Sequence, residues 1–380
     1  MISPRGSRGR FGPYPPAWFS VLLMAALAAC GVQEADGVPR GPADGEAVAI
    51  ALDAPRNESS GETIALAEAT APAGPHSTGE LPAGALLEDG SIRPANEAGR
   101  VMILEYHLIG EEGRWSRDTA RFRQDLELLY ERGYRPVSVS ELVDGEIDLP
   151  AGLSPVVFTF DDASPSQFRY IEEEDGTMTI DPASAVGIWL EFARTRPDWR
   201  NRAVFCLLPA AEAGRAFFGD KGIEGQKSAW RFTKVKFLAD QGFELCSHTL
   251  WHANLGRYDD EFVQEQIARG VMAIDSVVPG YRVRTFALPL GVWPRNRELA
   301  YRGSWTDPRS GREVRYDFDA VLEVAGGPTR GPNDSLFTRP ARLDRVQVYA
   351  DELERTLDRM DRGMRYVSAG SKLPVATRAK

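Results

Sequence analysis

The chain has 380 residues, a formal net charge of −10 and a sequence pI near 5.2. This length suffices for one large domain or two ordinary ones. The acidic balance provides no bulk positive field, so it argues against nucleic acid and favours a neutral or cationic polymer as the partner.

The first thirty residues have the layout of a secretory signal. A basic start is followed by the apolar run WFSVLLMAALAAC at residues 18–30, which is too short to span a bilayer comfortably. The run ends Leu-Ala-Ala-Cys and resembles a bacterial lipobox, so Cys30 is expected to be lipidated and to become the mature N-terminus. The protein would then be secreted across the inner membrane and lipid-anchored in the cell envelope, on the periplasmic side or in the outer membrane. The alternative is an ordinary signal peptide or short anchor with Cys30 incidental.

Residues 31–99 are predicted to be a disordered acidic linker. Residues 31–97 contain twelve acidic residues, three arginines and no aromatic residue. This composition cannot bury enough apolar surface to fold. The predicted organisation is therefore a lipoprotein signal peptide over residues 1–30, the linker, and a folded domain over residues 100–370.

Within the domain, short apolar runs alternate with longer segments of helical periodicity. The predicted strands are RVMILEYH, SPVVFTFDD, RAVFCLLP, FELCSH, VRTFALPLG, YDFDAVLEV and the start of RVQVYADELERTLDRM. The predicted helices are DTARFRQDLELLYERGY, DPASAVGIWLEFARTRP with Asp181 as its cap, WRFTKVKFLADQG, DDEFVQEQIARGVMAIDSVV and the end of the last segment. Such alternation builds a parallel sheet with helices outside, either as an incomplete barrel or as a doubly wound sheet.

Two further features are open to two interpretations each. Cys206 and Cys246 either pair outside the cytoplasm or are small buried hydrophobic residues on neighbouring strands. Residues 301–319 are predicted to be a surface insertion that shapes a binding groove or covers an edge.

Chemically notable side chains follow several strand ends, where both architectures place their sites. Asp161 and Asp162 follow the second predicted strand, and His248 and His252 follow the fourth. Each pair alone has a structural explanation, as a helix cap or as buried histidines. Together they predict a metal site, because two histidines and one carboxylate commonly hold a divalent transition metal with open positions. The second aspartate would act as the base beside the metal's water.

The segments VFTFDDAS, SHTLWH and FALPLG resemble the first three motifs of the polysaccharide deacetylase (NodB-homology) family, and the resemblance extends over about residues 102–360. It implies a distorted (β/α) barrel with about seven parallel strands. It also implies a metal-dependent hydrolase that removes acetyl groups from glycans. By this resemblance Asp162, His248 and His252 are the ligands of a divalent metal, expected to be Zn²⁺, and Asp161 is the catalytic base.

The chain departs from the family pattern at several positions. Ala163 replaces the glycine that usually follows the two aspartates, and Leu290 stands where an aromatic residue is usual. The late motif usually supplies a histidine as general acid, but here it has Arg345. His107 is then the only histidine left in the domain for that role, and its alternative is a buried, hydrogen-bonded residue under the barrel rim.

Three residues are candidates for contacting substrate: Trp251, Leu290 and Trp293. The two tryptophans either line the pocket and stack on a sugar or pack in the rim of the barrel.

The expected function is deacetylation of an envelope or extracellular polysaccharide, first of all an N-acetylhexosamine polymer, with O-acetyl esterase activity as a variant. Expected partners are the acetylated polysaccharide, a membrane through the lipid anchor, and polysaccharide export or synthesis proteins. One competing function is a catalytically degenerate glycan-binding lipoprotein of the same fold, which the departures at Ala163, Leu290 and Arg345 motivate. Another is a non-haem iron oxygenase with the same ligand set, which leaves Asp161 without a role.

Overall fold

The computed structural model describes residues 82–211 and 216–370. The predicted signal peptide, Cys30 and residues 31–81 of the predicted linker lie outside these residues. Within the part of the chain that is described, no helix is both long enough and apolar enough to cross a bilayer.

The α-helices among these residues are α1 (Thr119–Glu131), α2 (Val139–Asp144), α3 (Ala185–Arg194), α4 (Arg231–Asp240), α5 (Asp260–Val277) and α6 (Glu352–Arg359). The strands are β1 (Arg100–Tyr106), β2 (Leu108–Gly110), β3 (Ser116–Asp118), β4 (Tyr134–Pro136), β5 (Ser154–Phe160), β6 (Tyr170–Glu172), β7 (Met178–Ile180), β8 (Val204–Leu207), β9 (Glu244–Ser247), β10 (Thr285–Ala287), β11 (Arg302–Thr306), β12 (Glu313–Asp317), β13 (Ala320–Gly326), β14 (Thr329–Arg330) and β15 (Ala341–Gln347).

Seven parallel strands close into a barrel. Their order is β1, β15, β13, β10, β9, β8 and β5, and β5 pairs back onto β1. In that closing pair Met102 lies opposite Val156 and Tyr106 lies opposite Phe160. β4 extends the sheet beside β5, and the short antiparallel β14 lies beside β1. The predicted (β/α) barrel with seven parallel strands is confirmed, and the doubly wound alternative is not the fold.

Alternate residues of the barrel strands belong to two different apolar layers. One layer contains Met102, Leu104 and Tyr106 of β1 and packs with the surrounding helices. The other contains Val101 and Ile103 of β1 and packs with small or branched residues of the other strands: Val157, Val204, Cys206, Cys246, Ala287, Ala320, Leu322, Ala341 and Leu343. Side chains that alternate along a barrel strand point inward and outward in turn, so this second layer fills the barrel.

The two cysteines of the domain lie opposite each other on β8 and β9. Cys206 and Cys246 pair in register and are joined by a disulfide, with their Cα atoms 4.2 Å apart. Of the two interpretations left open by the sequence, the structure therefore has the paired one, and both residues also lie in the barrel interior.

Residues 82–99 correct the predicted extent of the disordered linker. Ala85 is fully buried, and Asn96 forms a backbone bridge with Val367 near the end of the domain. Gly84 lies so close to Gly133 that a side chain at either position would collide with the other backbone. The composition argument failed here because this segment is fixed by backbone pairing and small residues rather than by large apolar side chains.

Two local expectations also have clear outcomes. The third helix is capped by Ser184, whose side chain accepts a hydrogen bond from Gly187 N, and not by Asp181. The predicted insertion of residues 301–319 contains the hairpin β11–β12. This hairpin packs on the outside of α5, where Ser304 N donates to Gln264 and Arg269 lies over Trp305.

Candidate active site

The barrel interior changes from apolar to charged toward the carboxyl ends of the strands. Continuing inward-facing positions lead from Ile103 to Glu105 on β1 and from Leu343 to Arg345 on β15. On β5 they lead from Val157 through Thr159 to Asp161, which directly follows the strand. All four of these polar residues are buried. The strand alternation that fills the barrel therefore also delivers these side chains to one end of it.

Asp162 and the two histidines of SHTLWH meet at this end of the barrel. Oδ1 of Asp162 lies 3.5 Å from Nε2 of His248 and 3.5 Å from Nε2 of His252. Asp162 and His248 are buried, and His252 is partly exposed. The structure thus brings together the three residues predicted as metal ligands, and His252 forms the side of the group that is open to solvent.

Left-handed backbone conformations produce this convergence. Asp162 has φ of 76° and Ala163 has φ of 47°, so the chain turns sharply at the end of β5. The turn sends the carboxylate of Asp162 to the histidines, while Asp161 keeps the inward direction of the strand. His252 also has a positive φ, of 70°. Such conformations are costly for residues with a side chain and cluster at functional sites.

His248 is oriented by its second ring nitrogen. Its Nδ1 lies 2.9 Å from the carbonyl oxygen of Ala287 and donates to it, so Nε2 is the ring nitrogen that faces Asp162. The following turn rests on α5, where Leu250 N donates to Gln266 O at 3.0 Å. Gly270 permits this close approach, because a Cβ there would lie 3.1 Å from the backbone of Thr249.

The donor set fits a divalent transition metal. The ligand atoms of Asp162, His248 and His252 all lie within 4.8 Å of one another. Ligands about 2.0–2.1 Å from a tetrahedral zinc lie about 3.3 Å apart, close to the separations seen here. Burial raises the pKa of Asp162, but the hydrogen bond and charge of His248, together with His252, hold that pKa well below its ordinary value. An ionised carboxylate and two imidazole nitrogens are suitable zinc ligands.

Asp161 is held by Arg345 instead. Nη1 of Arg345 donates to Oδ1 at 2.8 Å and Nη2 donates to Oδ2 at 2.7 Å, and both residues are buried. Burial raises the pKa of Asp161, but the charge and hydrogen bonds of Arg345 lower it below its ordinary value. Bidentate pairing of this kind fixes both charge and orientation. The residue that stands where the family usually has a histidine therefore holds the predicted base.

Glu105 is a second buried carboxylate beside the same guanidinium. Its Oε1 lies 2.7 Å from Nη2 of Arg345. Burial raises the pKa of Glu105 to about 8, although the charge of Arg345 acts in the opposite direction. Two carboxylates thus share one cation, and Asp161, which has the bidentate contact, carries the negative charge.

Glu105, His107 and Asp161 also lie close enough together to bind an ion. The guanidinium of Arg345 contacts both carboxylates of this second group. A metal ion there would meet a buried positive charge at close range, so the group with Asp162 is the better metal site.

His107 lies at the rim between the charged interior and solvent. Its ring centroid is 5.0 Å from that of Trp115, and its carbonyl oxygen accepts a hydrogen bond from Gln167 Nε2 at 2.6 Å. Burial lowers the pKa of His107, while the charges of Asp161 and Asp162 raise it. The structure therefore places His107 beside the predicted base, Asp161.

The predicted substrate-contacting residues differ in their surroundings. Leu290 is 56% exposed and has φ of 58°. Trp251 packs on Phe262, with ring centroids 5.7 Å apart. Trp293 donates its Nε1–H to Glu323 at 2.8 Å. Both tryptophans are partly buried and packed, so each serves at least to build the rim.

Comparison with known proteins finds a family model that is similar to part of the chain. Residues 210–302 match the family model described as polysaccharide deacetylase. No curated protein sequence matches the chain. The match confirms the predicted resemblance to this family.

Several solved structures resemble the chain at low identity. Streptococcus pyogenes deacetylase PplD, in complex with acetate, is 15% identical, with a TM-score of 0.48, over 69% of this chain and 98% of that one. BC0361, a polysaccharide deacetylase from Bacillus cereus, is 16% identical, with a TM-score of 0.48, over 72% and 74%. IcaB from Ammonifex degensii is 17% identical, with a TM-score of 0.45, over 69% and 97%.

Proposed function

We propose, from the resemblance of residues 210–302 to the polysaccharide deacetylase family, that this chain is a metal-dependent hydrolase that deacetylates a polysaccharide. An N-acetylhexosamine polymer is the first candidate substrate. The observation that carries the proposal is the separation of two adjacent carboxylates. Asp162 faces two histidines, while Asp161 faces a buried arginine beside them.

The reaction requires an attacking water, a base and a stabilised oxyanion. A bound Zn²⁺ would supply Lewis acidity and lower the pKa of a coordinated water. Asp161 is kept ionised by Arg345 and accepts the proton of the attacking water. The side chain of Asp161 cannot rotate freely, because both of its oxygens accept hydrogen bonds from one guanidinium.

His107 supplies the proton that the leaving amine or alcohol needs. It is the remaining histidine at this end of the barrel, and it lies beside Asp161. Burial lowers the pKa of His107, which makes its protonated form a stronger acid and a less populated one at neutral pH. This assignment rests on the sequence around Arg345, where the family usually has a histidine as general acid. In this chain Arg345 takes that position and holds Asp161 instead.

The test is acetate release from acetylated chito-oligosaccharides after chelation and after return of Zn²⁺. Chelation should abolish release, and Zn²⁺ should restore it in the wild type but not in His248→Ala. Lys236→Ala is the matched control, because Lys236 lies on the exposed surface of α4 paired with Asp240. Metal binding and glycan binding without acetate release would favour the glycan-binding alternative. Tight iron binding without hydrolysis would favour the oxygenase.

We further propose that the enzyme works in the cell envelope as a lipoprotein anchored through Cys30. The support is the sequence of residues 1–30 alone, with its basic start, apolar run and Leu-Ala-Ala-Cys ending. A location there would place the domain beside cell-surface and exported polysaccharides and the proteins that make or export them.

A further inference from the structure

A half-exposed tryptophan stands at the entrance to the candidate active site. Trp115 is 41% exposed, and its ring lies 5.0 Å from that of His107 at an angle of 60°. The small cavity beside it is lined by Glu105, His107, Arg114 and Arg117, among others. A half-exposed indole beside the candidate active site is in position to contact a ligand bound there.

The turn that carries Trp115 is held firmly. Gly113 N donates to Ser116 O at 2.8 Å, and Leu108 N donates to Trp115 O at 3.0 Å. The neighbouring Arg117 is buried, pairs with Asp125 through two hydrogen bonds and donates to Ala350 O at 2.7 Å. The exposed indole is therefore preorganised, which lowers the entropic cost of binding a ligand on it.

Arg114 adds polar donors to the same surface. Its guanidinium carbon lies 5.2 Å from the centroid of the Trp115 ring. Among residues 82–211 and 216–370, no carboxylate forms an ion pair with Arg114. The side chain of Arg114 is exposed, so its N–H donors are accessible at the rim of the site.

We propose that Trp115 and Arg114 form a second sugar subsite, which binds the residue next to the acetylated sugar. This proposal deepens the proposed function and rests on it. The indole packs on the apolar C–H face of a pyranose, and the guanidinium donates hydrogen bonds to its hydroxyl or acetamide oxygens. The sugar is an uncharged one, in agreement with the acidic balance of the chain, and the substrate is an oligomer rather than a single sugar.

The kinetic test compares acetylated chitotetraose with N-acetylglucosamine. Trp115→Ala should lower the ratio of the two kcat/KM values roughly two- to tenfold, and Trp115→Phe should keep most of it. Leu336→Ala is the matched control. Leu336 is 64% exposed but shares a pocket with Arg100 and Ala341, at the opposite end of the barrel. That variant should behave as the wild type with both substrates.

A second readout separates this proposal from the proposed function. Calorimetry with chitotetraose in the Asp161→Asn background should show weaker binding when Trp115→Ala or Arg114→Ala is added. Trp115-dependent binding in the Asp161→Asn protein, together with no acetate release by the Zn²⁺-loaded wild type, would keep the subsite and overturn the deacetylase. Acetate release with an unchanged tetraose preference in Trp115→Ala would overturn the subsite and keep the deacetylase. Failure of the wild type to bind the oligomer would also overturn the subsite.

Discussion

Replacing Arg345 with methionine tests how the chain holds Asp161, the proposed base. The guanidinium is fully buried and is bound to both oxygens of Asp161 and to Glu105. Methionine fills much of the same volume but carries no charge. The substitution would leave the ionised Asp161 beside Glu105 in the barrel interior without a cation, so Asp161 must bind a proton or become hydrated.

The size of the effect follows from this burial. Removing one partner of a buried ion pair costs about 3–5 kcal/mol. The described domain of about 290 residues has an unfolding entropy of roughly 0.6 kcal/mol/K, so the melting temperature should fall by about 5–8 °C. Acetate release should fall by roughly 10²–10⁴-fold, the usual contribution of a general base.

The assay is thermal unfolding followed by circular dichroism at pH 7, with acetate release measured on the same samples. Glu105→Gln is the matched control. Burial raises the pKa of Glu105 to about 8, so this residue is mostly protonated at pH 7 and an amide replaces it at little cost. Arg345→Lys should recover part of the stability but less of the rate, because an ammonium cannot make the bidentate contact. The reasoning would be refuted if Arg345→Met had the melting temperature of the wild type. It would also be refuted if Glu105→Gln lowered the melting temperature as much as Arg345→Met does.

Three other predictions concern different parts of the chain. A protein that begins at residue 82 should have the same melting temperature as the full-length protein, and one that begins at residue 100 should melt several degrees lower. Equal melting temperatures of the two shortened proteins would show that residues 82–99 do not stabilise the domain. Burial, and then the charge of Arg169, lowers the pKa of Lys234 to about 7 from 10.5, so the unfolded chain binds more protons above pH 7. In denaturant titrations, the free energy of unfolding of the wild type relative to that of Lys234→Met should therefore rise from pH 7 to pH 10. A difference that does not change with pH would contradict the lowered pKa. Cys30→Ser should move the protein from the membrane fraction to the soluble fraction, and an unchanged distribution would contradict the lipid anchor.

The barrel and the cluster of Asp162, His248 and His252 were predictable from the sequence for the same reason. Alternating apolar strands and helices fix the architecture, and the carboxyl ends of parallel strands meet at one end of a barrel. Residues at those ends, such as Asp162 and His248, could therefore be expected to meet although they lie far apart in sequence.

The network around Asp161 was harder to predict, although its signal was present. Glu105 and Arg345 are charged residues inside apolar strands, at positions that alternate in step with the inward-facing residues of β1 and β15. The strand order was needed to show that β15 lies beside β1, and thereby brings Arg345 to Glu105. Without that order, Arg345 could be recognised only as a departure from the late motif.

The turn with Trp115 and the segment of residues 82–99 carried no usable sequence signal. Trp115 lies in a short turn whose position relative to His107 depends on the backbone hydrogen bonds of that turn. The segment before β1 packs through backbone contacts at Gly84 and Asn96. Composition describes the apolar surface available for burial and cannot detect such contacts.

The most direct test of the central claim is the metal content of two neighbouring variants, Asp161→Asn and Asp162→Asn, measured after purification and dialysis against Zn²⁺. The account predicts that Asp161→Asn retains one bound metal per chain, because His248, His252 and Asp162 are unchanged. It predicts that Asp162→Asn loses most of the metal, because an amide oxygen is a weaker ligand than a carboxylate. Metal loss in Asp161→Asn together with full occupancy in Asp162→Asn would contradict the assignment of the two carboxylates.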